Sequence, residues 1–207
     1  MSKENGFDSD YVRALIMPLE ATYTDIFAWT EIEGALINLG TDKGGLELIP
    51  DFQRIHLWTK EQQTQYVECC MRGLVLPRDR LIRFNCPNWR NRPKWTNLPD
   101  GLQCLDGLQR YVAITEFVKG NLNPFGLDPE DFVGTDFSPN ELTASVEIHC
   151  FSTRDQLLRQ YLLLNSFSTP HSANELQQVH ELSISALQEY EPHNWRYPDR
   201  DPSDDSR

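Results

Sequence analysis

No stretch of this chain approaches the roughly 18 apolar residues in a row that a membrane-crossing helix needs. The opening, Met1-Ser2-Lys3-Glu4-Asn5-Gly6, lacks the basic and apolar blocks of a secretory signal. A cytoplasmic protein with no membrane partner is therefore expected. Cysteine is scarce and odd in number, five residues with no Cys-x-x-Cys pair, which argues against a disulfide framework or a zinc ribbon. Cys69 and Cys70 fall in a predicted helix as packed thiols, and Cys104, with no adjacent His, reads as a small buried hydrophobe rather than a nucleophile. Also missing are an internal repeat, a low-complexity tract and any acidic pair at a spacing that marks a metal nuclease. Basic charge is short as well: 19 Lys and Arg face 31 Asp and Glu, a formal net charge of −12. At first sight that disfavours a nucleic-acid partner.

The distribution of charge softens that conclusion. Part of the acidic excess sits at the two ends, in Glu4, Asp8 and Asp10 and in Asp199, Asp201, Asp204 and Asp205, where polar sequence favours disorder. Between Arg72 and Lys94 the balance reverses, with Arg78, Arg80, Arg83, Arg90 and Arg92 against Asp79 alone, and Trp89 and Trp95 interleaved. Such a segment suits phosphate-backbone contact with base stacking, so these five arginines are candidates for nucleic-acid binding and DNA is a candidate partner. A basic loop closing over nucleotide phosphates is an equally simple account, and an ordinary charged surface over packed tryptophans is the commonest outcome.

At 207 residues and 39% hydrophobic content the chain suits one domain with a sizeable core. Four Ser/Thr-x-x-Glu/Gln boxes announce helix starts: Thr30 with Glu33, Thr59 with Gln62, Thr153 with Gln156 and Ser172 with Glu175. The first predicts a helix over Glu31 to Leu39 stopped by Gly40, the second one over Lys60 to Arg72 stopped by Gly73. The third opens a helix with Leu157, Leu158, Tyr161, Leu162 and Asn165 on one stripe, and the fourth a helix running towards Pro192. Strands are expected at Leu46 to Ile49, Gln53 to Leu57, Leu81 to Asn85, Leu102 to Leu105 and Ser145 to Cys150. The alternation predicts an α/β (α+β) fold with a single small mixed sheet and surrounding helices. It is organised as an N-terminal extension over 1–29, a domain over 30–191 and an acidic tail over 192–207.

The most informative motif is Leu105-Asp106-Gly107-Leu108-Gln109-Arg110, placed where a short strand gives way to a helix whose buried stripe is Tyr111, Val112, Ile114 and Phe117. At such a turn the first helical N–H groups are unpaired and the dipole favours an anion, while Gly107 lets a ligand approach closely. Asp106, Gln109 and Arg110 share a face. Arg110 is suited to clamp a phosphate oxygen and Asp106 to hold a metal ion or a water. The plainer account makes Asp106 a helix cap, Gln109 its capping-box partner and Arg110 a surface ion pair. A second motif, Pro50-Asp51-Phe52-Gln53-Arg54, precedes Trp58. If Gln53 and Arg54 lie in a strand, only one of them enters the Asp106 site; Arg54, sharing a face with His56, is placed at the phosphates, with Gln53 in support, and the reverse is open. Trp58 and His171 are read as packing and turn residues. Asn165, polar on an apolar stripe, needs a buried partner that an active-site loop can supply.

Together the Pro-Asp-Phe-Gln-Arg-x-x-x-Trp segment, the Gly73 to Pro77 turn, the Asp106-Gly-x-Gln-Arg run and the Asn165-x-x-x-Thr169-Pro170-His171-x-x-x-Glu175 run resemble the ParB/sulfiredoxin-like domain family. The N-terminal half of GmrSD modification-dependent restriction systems typifies it, and this chain is similar to stand-alone, phage- or mobile-element-type members over about residues 30 to 185. The resemblance implies nucleotide binding and, in some members, hydrolysis of a nucleoside triphosphate with Mg²⁺. It nominates Gln53, Arg54, Asp106, Gly107, Gln109 and Arg110, with Asp106 and Arg110 as the catalytic pair and Asp106 as the metal ligand. Leu108 departs from the family, which has Gln there, and puts turnover in doubt. The function expected is a nucleotide-binding, nucleotide-hydrolysing protein of phage or mobile-element DNA metabolism or defence. The alternative is a non-catalytic nucleotide- or DNA-binding regulator or counter-defence module, working with a separate nuclease or a host protein; nuclease activity of the domain itself is the third reading.

Overall fold

A computed structural model of the chain describes residues 19–53, 58–91, 93–166 and 181. Its centre is one mixed sheet of five strands in the order β1-β5-β3-β4-β2. The strands are β1 (Tyr23–Ala28), β2 (Leu46–Glu47), β3 (Leu81–Asn85), β4 (Leu102–Asp106) and β5 (Thr143–His149). β5 runs antiparallel to β1 and parallel to β3, while β4 is antiparallel to β3 and parallel to β2. Four helices surround it: α1 (Ile32–Thr41), α2 (Lys60–Met71), α3 (Leu108–Val118) and α4 (Arg154–Ser166). This is the small α/β fold that the alternation of elements predicts.

Period-two alternation divides each strand between two layers. On one face Ile82 and Phe84 of β3, Leu102 and Cys104 of β4, and Ala144, Val146 and Ile148 of β5 meet Trp29, Leu36 of α1, Val67 of α2 and Ile114 and Phe117 of α3 in the main core. A smaller core on the opposite face joins Leu105 to Phe52, Leu98 and the α4 residues Leu157, Leu158 and Tyr161. Across Arg83, Asn85, Glu147 and His149 that second face is polar, and it holds the site described below.

Several local expectations need correction. The Thr30 box does not form: α1 has no side-chain cap, because the Thr30 hydroxyl donates to Asn140 Oδ1 and Glu33 pairs with Lys119. α1 also runs through Gly40, whose bare Cα faces the Gly45 backbone so closely that a Cβ would lie 2.9 Å from it. β2 spans two residues rather than four. Gln53 occupies a bend, not a strand, and the rest of the expected strand, residues 54–57, lies outside the described residues. The edge strand β1 was not anticipated. It falls in the stretch placed ahead of the domain, yet pairs with β5 along its whole length. The Ser172 box and His171 lie outside the described residues.

Candidate functional site

The site is built by a single extra residue. Arg83 pairs with Asp106 across β3 and β4, but the next pair is Phe84 with Cys104, so Leu105 is inserted as a β-bulge. Without it Asp106 would follow the alternation onto the core face; the bulge turns its carboxylate to the polar face beside Arg83, the kind of re-aiming bulges perform. Two guanidinium groups converge there on one oxygen. Arg110 Nη2 donates to Asp106 Oδ2 at 2.6 Å and Arg83 Nη1 donates to the same oxygen at 3.1 Å. Arg110 comes from the first turn of α3, and its Nε donates to the Leu81 carbonyl at 2.9 Å. Arg83 Nε in turn donates to Glu147 Oε2 of β5 at 3.0 Å. The result is an ordered row, Arg110, Asp106, Arg83, Glu147, about a quarter exposed at each member.

Next along β5 and β3, His149 and Asn85 are fully buried. Asn85 clamps the chain beyond β5, accepting from the Phe151 N–H at 2.7 Å and donating to its carbonyl at 3.3 Å. His149 Nδ1 lies 2.9 Å from the Glu20 carbonyl oxygen, and its Nε2 lies 3.7 Å from Glu147 Oε2. Burial holds the imidazole below its ordinary pKa. Glu147 and His149 escaped the sequence reading, although the alternation of Ser145, Glu147 and His149 against Val146 and Ile148 is a legible sign of a polar strand face.

Gly107 caps α3 with φ of 92°. Its side-chain-free position is demanded by the chain itself, since a Cβ would stand 2.7 Å from the Leu81 oxygen. Asp106 is therefore not the cap, and Gln109 is not a capping-box partner: its Oε1 accepts from the Trp58 N–H at 2.7 Å, while Gln63 Nε2 donates to the Trp58 carbonyl. Gln53 Nε2 meets Cys104 Sγ at 3.6 Å. Leu108 is buried in the main core. Burial pushes the Cys104 thiol up to about 12, which keeps it a neutral thiol.

Other candidates lie apart. Asn165 donates to the Tyr161 carbonyl of its own helix at 2.8 Å. Arg80 is buried under Trp29 and donates to the Cys70 and Val75 carbonyls, so its donors serve the fold rather than nucleic-acid phosphates. Arg78 is exposed beside Asp79, and Arg90 donates to the Thr22 carbonyl. Trp89 packs against Tyr23, with Lys43 over its ring. The arginines thus form no single stripe; Arg83 belongs to the Asp106 row. Arg54 and Arg92 lie outside the described residues.

The donor set can be weighed against Mg²⁺. Asp106 Oδ2 and Glu147 Oε2 already accept from guanidinium groups, and among the described residues no cluster of three His, Cys, Asp or Glu side chains stands ready for a metal. Two cations on the one carboxylate at the turn oppose a third by Coulomb repulsion, so the residues do not fit a resident magnesium ion. No family model matches the chain, and no curated protein or solved structure matches it.

Proposed function

We propose that the protein binds a nucleotide through its phosphates at the β4–α3 turn, with Arg110 and Arg83 as the phosphate partners. The observation that supports this most directly is the convergence of two guanidinium groups on Asp106 Oδ2 at the start of a helix. The shared carboxylate holds both forks in fixed positions, which lowers the ordering cost of meeting a planar pair of phosphate oxygens. The dipole at the first turn of α3 adds a second attraction for the same anion. A phosphate takes the place that Asp106 fills for each guanidinium, and the displaced Asp106 carboxylate then orients water.

Hydrolysis is the further step of this reading, and binding without turnover is its rival. Leu108 favours the rival, because its side chain is committed to the core and cannot reach a ligand. Magnesium would accompany the nucleotide on its phosphates rather than sit on Asp106. The deciding experiment measures binding and turnover of ATP, CTP, GTP and UTP with Mg²⁺ for the native chain, Asp106→Ala and Arg110→Ala, each checked for folding. Saturable binding weakened at least about tenfold by Arg110→Ala, the usual scale of a lost charge-assisted contact, supports the site. Phosphate release that both substitutions abolish selects the hydrolase; binding alone selects a regulatory module, with DNA or a separate nuclease as its further partner. No binding of any of the four overturns the proposal.

A further inference from the structure

In the second row of the polar face, His149 beside Asn85, the surroundings of one imidazole nitrogen do not satisfy it. A carbonyl oxygen only accepts, so the contact with Glu20 places the His149 proton on Nδ1 and leaves Nε2 as a bare lone pair. That nitrogen is buried and has no hydrogen-bond partner among the described residues. Glu147 Oε2, 3.7 Å away, is another acceptor. The same Oε2 is the one that receives Arg83 Nε at 3.0 Å. Glu147 therefore stands between a donor it already has and a nitrogen that becomes a donor on taking one proton.

We propose that His149 is a proton-operated control on Arg83: protonation of Nε2 draws the Glu147 carboxylate from Arg83 and releases that guanidinium for an anionic ligand. The groups around the imidazole define the balance. On β5 Glu147 attracts the proton, and on β3 Arg83 opposes it while Asn85, the register partner of His149, is neutral. Asp106 of β4 and Arg110 of α3 continue the row beyond Arg83. Ahead of β1 the Glu20 carbonyl holds Nδ1, and the Phe151 ring stacks on the imidazole at 5.8 Å. Each proton taken up adds a positive charge to the polar face and frees a second one, so anion affinity rises as pH falls. For the identity of the ligand this rests on the nucleotide-site reading; the coupling of His149 to Arg83 does not.

Nitrogen-detected NMR of the native chain, His149→Gln and Glu147→Gln tests both parts from about pH 7.5 to about 4.5, a range that starts above the ordinary imidazole value and reaches well below it. Sulfate serves as the anionic probe, since phosphate itself titrates in this range. In the native chain the Arg83 Nε–H resonance should move with the same midpoint as the His149 ring, and sulfate should bind about three- to tenfold tighter at the acid end, the scale of one partly screened charge. Both responses should vanish in His149→Gln; should that variant fail to fold, Glu147→Gln keeps the imidazole and must still uncouple Arg83 from it. An Arg83 resonance that stays fixed, whether His149 titrates or not, overturns the proposal. A coupled Arg83 with no sulfate binding at any pH leaves the switch standing and overturns the nucleotide site, whereas sulfate binding independent of pH does the reverse.

Discussion

Asp106 satisfies two guanidinium groups with one oxygen, so removing its charge has opposite effects on stability and on ligand affinity. In Asp106→Asn the two arginines lose their shared anion while the side chain keeps its size. A loss of about 1–2 kcal/mol in urea unfolding is expected, small because the row is about a quarter exposed. Sulfate should bind Asp106→Asn more tightly than the native chain, which calorimetry will show. The two neighbouring arginines of the basic segment make a contrast. Arg80→Ala removes a buried cation that satisfies two backbone carbonyls, at a cost of about 2–4 kcal/mol. Arg78→Ala, at an exposed position, should change stability by no more than about 0.5 kcal/mol. Paired urea titrations of the two variants distinguish a structural arginine from a surface one.

At the scale of elements, the Thr30 and Thr59 boxes make the same promise and only the second of this pair keeps it. The Thr59 and Gln62 side chains cap α2 reciprocally, so Thr59→Ala should cost about 1 kcal/mol. Thr30→Ala removes an exposed long-range bond and no cap, and should cost less than about half of that. Thermal unfolding of the two variants is the check. The difference marks what was legible in the sequence. Thr59 and Gln62 need only each other, three residues apart, whereas Thr30 and Glu33 were claimed by Asn140 and Lys119, more remote than any local pattern can register. The site divides in the same way. Asp106 and Arg110 are four apart on a helix start and could be paired from the sequence, and a single small mixed sheet follows from the alternation of elements. Arg83 and Glu147 join them through strand register and through the Leu105 bulge, and a bulge depends on the partner strand rather than on the residues that form it. β1 was missed because its residues alternate weakly, with Ile26 exposed and Asp25 among them.

For the whole molecule, stability depends on pH through the same histidine. The folded chain holds His149 below its ordinary pKa, so the unfolded chain takes up the proton first. Its contribution is then fully present above about pH 6.5 and is lost as pH falls below that value. The melting temperature should decline between about pH 7.5 and about 5.5, and His149→Gln should flatten that decline, as differential scanning fluorimetry across the range will show. The order of the strands has a consequence of another kind. Among the described residues β1 is the first strand, and its strand partner there is β5, the last of them. At translation speeds of roughly 5–20 residues per second, the hundred-odd residues between them take roughly 5–20 s to emerge. For that interval the β1 segment is without the β5 edge it pairs with, and completion of the sheet waits on the ribosome rather than on diffusion.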